Sequence, residues 1–183
     1  MALTVLLGGA RSGKSRLGVE LARSLGGPVT FLATGEARDD EMVERIRRHR
    51  AERPAGWTTV EEPYALADAL DRVEPGHILI LDCLSLWVAN ALERGDDDEL
   101  VLEKAAQAVR IAGARAGATI AISNEVGLGI VPATPLGRVF RDLLGSVNRV
   151  WVEASADAVL VVAGRGLRLS PAETLALSGA VRS

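Results

Sequence analysis

Short apolar runs alternate with longer mixed stretches along all 183 residues. Leu3-Thr4-Val5-Leu6-Leu7, Val29-Thr30-Phe31-Leu32, His77-Ile78-Leu79-Ile80-Leu81, Ala118–Ser123 and Ala158–Val162 read as strands, and Trp57-Thr58-Thr59-Val60 as a further one. The stretches between them predict helices over 14–25, 39–52, 64–73, 84–93, 98–116 and 136–154. Leu17, Leu21 and Ala22 fall on one face of the first helix, and Gly26-Gly27 stops it. Asp39, Asp40 and Glu41 sit in the first turn of the second, where the helix dipole favours negative charge, and Pro54 lies beyond its end. Gly164-Arg165-Gly166 turns the last run into Leu167-Arg168-Leu169, which reads as a terminal hairpin. Ser170-Pro171-Ala172-Glu173 has the form of a capping box with proline at the first helical position, predicting a short helix within the extension 170–183. Strands alternating with helices predict an α/β fold, a mostly parallel sheet with helices on both faces, in a single domain over 1–183.

Composition narrows the class without naming a function. Hydrophobic residues make up 48% and charged residues 25%, which excludes a disordered chain. A net charge of −3 gives no basis for a nucleic-acid partner held through its phosphates. Cys83 is the one cysteine, so no internal disulfide is expected and a reducing, cytoplasmic setting fits. The chain enters its first strand at once, leaving no room for a signal peptide, and no apolar run approaches the ~18 residues of a membrane span.

Gly8-Gly9-Ala10-Arg11-Ser12-Gly13-Lys14-Ser15 brings the chemistry. It fits G-x-x-x-x-G-K-[ST] at every fixed position, between a predicted strand and a predicted helix. Gly8 and Gly13 let the backbone curl so that its N–H groups face phosphate oxygens. Lys14 is placed for the β- and γ-phosphates of a nucleotide and the Ser15 hydroxyl for Mg²⁺, while the helix start adds its positive end. Asp82 closes an apolar strand, as a carboxylate holding the same Mg²⁺ would; an acidic cap on the next helix is the other reading. Arg45-Ile46-Arg47-Arg48-His49-Arg50-Ala51-Glu52-Arg53 places five arginines around a histidine. On a helix His49 shares a face with Arg45, Glu52 and Arg53. Such a run is either a solvated basic face or an anion site, and nearby cations would keep the histidine neutral and able to attack phosphorus. His77 lies at the sheet end opposite Asp82 and reads as structural. Ser123-Asn124-Glu125-Val126-Gly127-Leu128-Gly129 follows a strand's carboxyl end, so it is a loop approaching a ligand or a plain strand-to-helix turn.

Several motifs in one order then become specific. GGARSGKS over 8–15, ATGEARDDEM over 33–42, R-I-x-x-H-R over 45–50, Thr59-Val60-Glu61-Glu62-Pro63 after Trp57, Asp82-Cys83-Leu84-Ser85 and SNEVGLGIVP over 123–132 resemble the bifunctional adenosylcobinamide kinase / adenosylcobinamide-phosphate guanylyltransferase family. The likeness runs from about residue 3 to 169. It implies a P-loop NTPase fold with a RecA-like sheet and a trimeric or other homo-oligomeric assembly. It also implies two reactions that use ATP or GTP with Mg²⁺. The γ-phosphate goes to adenosylcobinamide; GMP from GTP then passes through a histidine to adenosylcobinamide phosphate. The family histidine falls on His49. The family's nucleotide contacts fall on Gly8, Gly9, Ala10, Arg11, Ser12, Gly13, Lys14 and Ser15, on Ala33, Thr34 and Gly35, on Arg50, Ala51, Glu52 and Arg53, and on Glu61 and Asp82. A nucleotide-driven switch or motor subunit, or a kinase of another small alcohol, is the alternative. The segment 36–56, flanked by Gly35 and by Pro54-Ala55-Gly56, is expected to move when nucleotide binds.

Overall fold

The computed structural model describes residues 3–51 and 53–172, without the side chains of Glu41, Arg45 and His49. Among these residues, seven strands form one sheet in the order β3-β2-β4-β5-β1-β6-β7. They are β1 (Leu3–Leu7), β2 (Val29–Ala33), β3 (Thr58–Glu61), β4 (Ile78–Asp82), β5 (Thr119–Ile122), β6 (Asp157–Val162) and β7 (Arg165–Leu169). All neighbours are parallel except β6 and β7, which form the terminal antiparallel hairpin. The hairpin turn is tighter than the glycines suggest. Arg165 and Gly166 already pair with Val162 and Val161, so Ala163-Gly164 alone makes the turn, both at positive φ. The short helix expected from Ser170 falls mainly on 173–183, outside the described residues.

Among the described residues, six helices connect the strands: α1 (Lys14–Leu25), α2 (Asp40–Ala51), α3 (Leu66–Asp71), α4 (Leu84–Glu93), α5 (Asp98–Ala114) and α6 (Pro135–Glu153). Side chains alternate across the sheet, so successive residues of one strand enter different cores. Leu3, Val5 and Leu7 of β1 pack with α3–α6, and Trp87 and Trp151 fill the centre of that layer at 1% and 0% exposure. Leu6 packs on the other face with Ile80, Ile122 and Ala22 of α1. A central sheet covered on both sides explains why these strands are near-continuous apolar runs.

Opposite ends of the sheet have different work. At the amino end, Arg115 donates to the carbonyls of Leu70, Val73, Glu74 and His77, joining the end of α3 to the start of β4. The His77 ring shares a hydrogen bond with Thr30 at 2.9 Å, which agrees with its structural reading. The carboxyl ends of β1, β2, β4 and β5 lead into Gly8, Thr34, Cys83 and Ser123, the edge where open α/β sheets bind ligands.

Candidate active site

The phosphate loop leaves β1 at Gly8, whose φ of +153° suits glycine and whose Cβ would stand 2.3 Å from the Val161 carbonyl oxygen. Arg11 (φ 55°) and Gly13 (φ 100°) complete the curl, and α1 starts at Lys14 with no acidic residue in its first turn. An uncompensated helix start beside curled backbone amides suits an anion. Lys14 is buried and its Nζ donates to the Gly9 carbonyl at 2.8 Å. Neighbouring segments hold the loop on both flanks. The Glu125 amide donates to Gly8 O at 3.1 Å, and the Gly164 amide, at the hairpin tip, donates to Ser12 O at 2.8 Å.

Asp82 ends β4, two strands from β1, in register with Ala33 of β2 and Ile122 of β5. Cys83 is the N-cap residue of α4, so Asp82 does not take the capping role. Its Oδ2 is buried with no hydrogen-bond partner among the described residues. The same cavity of about 400 Å³ touches Ser15, Phe31, Arg53 and Asp82. A hydroxyl and an orphaned carboxylate oxygen on one cavity are a donor set that fits Mg²⁺, which takes one or two protein ligands and fills its octahedron with phosphate and water. Thr34 fixes the edge beside them. Its hydroxyl donates to Cys83 O at 2.6 Å and accepts from Cys83 N at 2.9 Å, while Asn90 Nδ2 donates to Thr34 O at 2.8 Å.

Around α2 the structure changes the picture in two ways. The helix ends at Ala51, so Arg53 does not continue the helical face that carries His49. A residue before proline is pushed out of the helical region, and Arg53 precedes Pro54. Its guanidinium instead stacks over the Phe31 ring at 3.8 Å from the centroid. Burial lowers its pKa, opposed by attraction to Asp82. The arginine run also does not wait for an external anion to neutralise it. Arg47 pairs with Glu44 at 2.7 Å and Arg50 with Glu61, which ties the end of α2 to β3. A second cavity of about 600 Å³ opens between Arg50, Arg53, Trp57 and Glu61.

Most of the expected residues therefore gather at one edge. Gly8 through Ser15 form the phosphate loop, and Ala33, Gly35, Arg50, Arg53, Glu61 and Asp82 line the adjoining cavities, with Thr34 buried between Ala33 and Gly35. His49 lies in the last turn of α2, close in sequence to Arg50 and Arg53; its side chain and all of Glu52 lie outside the described residues. Sequence reasoning missed Phe31, which reads as a strand core position, and Asn90, a buried polar residue in a mostly apolar helix. The second had a signal: a buried asparagine among leucines must spend its amide on a partner, here Thr34 O and Pro63 O.

Comparison with known proteins shows the family. The family profile described as Cobinamide kinase / cobinamide phosphate guanyltransferase matches residues 4–169. The Bifunctional adenosylcobalamin biosynthesis protein CobP of Pseudomonas aeruginosa is 44% identical over 161 residues, 87% of this chain and 92% of that protein. The Bifunctional adenosylcobalamin biosynthesis protein CobU of Escherichia coli K12 is 36% identical, covering 91% and 99%. Among solved structures, an ATPase domain superposes with a TM-score of 0.50 at 13% identity, covering 87% of this chain and 68% of that one. A Pyrococcus horikoshii OT3 protein superposes at 0.53 and 8% identity, covering 91% and 85%. These two likenesses show a shared fold. With the phosphate loop, Asp82 and the family match over nearly the whole described chain, the protein belongs to the cobinamide kinase / cobinamide phosphate guanyltransferase family.

Proposed function

We propose that this chain performs both reactions of its family at the one sheet edge described above. In the first, the hydroxyl oxygen of adenosylcobinamide attacks the γ-phosphorus of ATP or GTP, the bond from that phosphorus to the β-phosphate oxygen breaks, ADP or GDP leaves, and the hydroxyl proton passes to solvent. In the second, a His49 ring nitrogen attacks the α-phosphorus of GTP and pyrophosphate leaves. The phosphate oxygen of adenosylcobinamide phosphate then attacks the phosphorus of the phosphoramidate, and the His49 nitrogen departs, giving adenosyl-GDP-cobinamide. Covalent transfer splits one difficult exchange into two easier ones.

The observation that carries this reading is the shared cavity. Ser15 and Asp82 line it from the phosphate loop and β4, and Arg53 lines it from just beyond the helix that bears His49. Lys14 would exchange its bond to Gly9 O for phosphate oxygens, the loop amides would orient the triphosphate, and Arg53 would offset charge building on the transferred group. Ser15 and Asp82 would hold Mg²⁺, whose charge stabilises the phosphates when bound. Ala33, Thr34, Gly35, Arg50 and Glu61 complete the nucleotide contacts in this proposal, and Ala51 holds its place at the helix end.

A cytoplasmic location and a homo-oligomeric, trimeric assembly belong to the same proposal. Among the described residues no helix is long and apolar enough to cross a membrane. The test is product analysis: incubation with adenosylcobinamide, nucleotide and Mg²⁺, followed by mass spectrometry of the corrinoid. Successive phosphorylated and GDP-bearing products support the reading. Nucleotide hydrolysis without a modified corrinoid would favour a switch or motor subunit instead.

A further inference from the structure

Ten large hydrophobic residues are exposed among the described residues, and five of them, Leu128, Ile130, Val131, Leu136 and Val139, fall within one stretch of twelve. Single exposed leucines need no explanation, whereas a cluster does. This one runs from the loop after β5 into the first two turns of α6, with Leu128 at 82% and Ile130 at 97% exposure. The loop is pinned at both ends, before Leu128 and after Val131. Asn148 Nδ2 holds Asn124 O, Glu125 Oε1 accepts from the Gly127 amide, and Thr134 caps α6 through the Gly137 amide. Arg138 donates to Pro132 O and Ala133 O at 3.0 Å each. The base of the loop is fixed to the phosphate loop by Glu125 N and Gly8 O. A preorganised apolar surface thus begins beside the nucleotide site.

The acceptor supplies the occupant. Cavities of about 400 and 600 Å³ at the site fall within the ~300–1,000 Å³ that suits drug-sized ligands. A corrin ring with its amide side chains and axial adenosyl group is larger than that class, and those cavities are lined by arginine and carboxylate groups. The ring must rest on an outer surface while its alcohol arm reaches the phosphate loop. Its five exposed apolar residues are fewer than the roughly 20–30 a side that a lasting contact between protein copies takes, so a copy seated here would need further surface besides this loop. We propose that the loop over 126–134 and the start of α6 form the docking surface for the corrin ring, with Leu128, Ile130 and Val131 covering its methyl-bearing edge. The inference rests on cobinamide being the acceptor.

The test is the double variant Leu128→Asn, Ile130→Asn, at two positions too exposed to matter for folding. The KM for adenosylcobinamide in the kinase reaction should rise about tenfold or more, as expected for losing burial of two aliphatic side chains. Guanylylation by GTP alone, which involves no corrinoid, should stay within about twofold. An unchanged acceptor KM overturns the proposal. So does a fall in the assembly's mass by sedimentation, which would give the surface to a second copy of the chain. Wild-type protein that fails to phosphorylate adenosylcobinamide at all would remove the function itself, and this surface with it.

Discussion

In the proposed mechanism Lys14 is the residue on which both reactions converge. It is buried at the start of α1, and its ammonium lies against Gly9 O within the phosphate loop. Lys14→Ala should lower kinase and guanylyltransfer rates by about 10²–10³-fold together, since one point charge serves the same phosphates in each. The circular dichroism spectrum should remain that of wild type. A kinase rate near wild type would contradict a shared site. Residue spacing made this position legible, because the motif is local and each fixed type has its own reason. Arg53 was only half legible. Its proximity to the nucleotide edge follows from sequence, but its stacking on Phe31 depends on where α2 ends and on which strand lies beneath. Glu36 shows the same limit. A hydrogen bond from Tyr64, and next one from Arg38, hold its carboxyl below the usual range. Its contribution is therefore present above the ordinary glutamate pKa and lost as pH falls through the lowered value. Tyr64→Phe should move the Glu36 titration upward, as followed by carboxyl carbon NMR.

At the scale of elements, the sequence predicted the strands and most helices to within a residue or two. The central strands are continuous and apolar because the sheet is covered on both faces there, whereas β3 and β7 lie exposed at its edges. The fold's joints were less legible. Nothing in the pattern around Arg115 announces that it will bind four carbonyls at the far end of the sheet. Arg115→Ala should cost about 2–4 kcal/mol, read as a lower urea midpoint at unchanged slope, because it strands carbonyls at a helix end. Gly8 joins element to site. A methyl group on its Cα would stand only 2.3 Å from Val161 O, so Gly8→Ala must push β1 and β6 apart. A loss of about 1–3 kcal/mol is expected, with weaker nucleotide binding in equilibrium dialysis. The apolar loop over 126–134 was legible as a loop at the ligand edge, yet its exposure was not, since leucine and isoleucine ordinarily mark a core.

For the whole molecule, the proposed mechanism needs different phosphorus atoms near the acceptor and near His49, with reacting atoms about 3–3.5 Å apart. Motion of the segment 36–56 would meet that need. Among the described residues its anchors to the rest of the chain are mostly polar: Tyr64 donates to Glu36, Arg38 pairs with Glu93, Arg50 pairs with Glu61, and Arg53 stacks on Phe31. Exposed ion pairs of this kind contribute little each, so they can yield to a nucleotide. Hydrogen exchange over 36–56 should slow when GTP and Mg²⁺ are added, and equal, strong protection in both states would show a fixed helix. The covalent intermediate is the central claim, and it has a direct measurement. Protein incubated with Mg²⁺ and GTP radiolabelled at the α-phosphorus should retain label through denaturing electrophoresis. The label should be acid-labile and alkali-stable, as a phosphoramidate is, and absent from His49→Ala, which should keep its kinase activity. No label on the wild-type chain, or undiminished label on His49→Ala, would contradict the account.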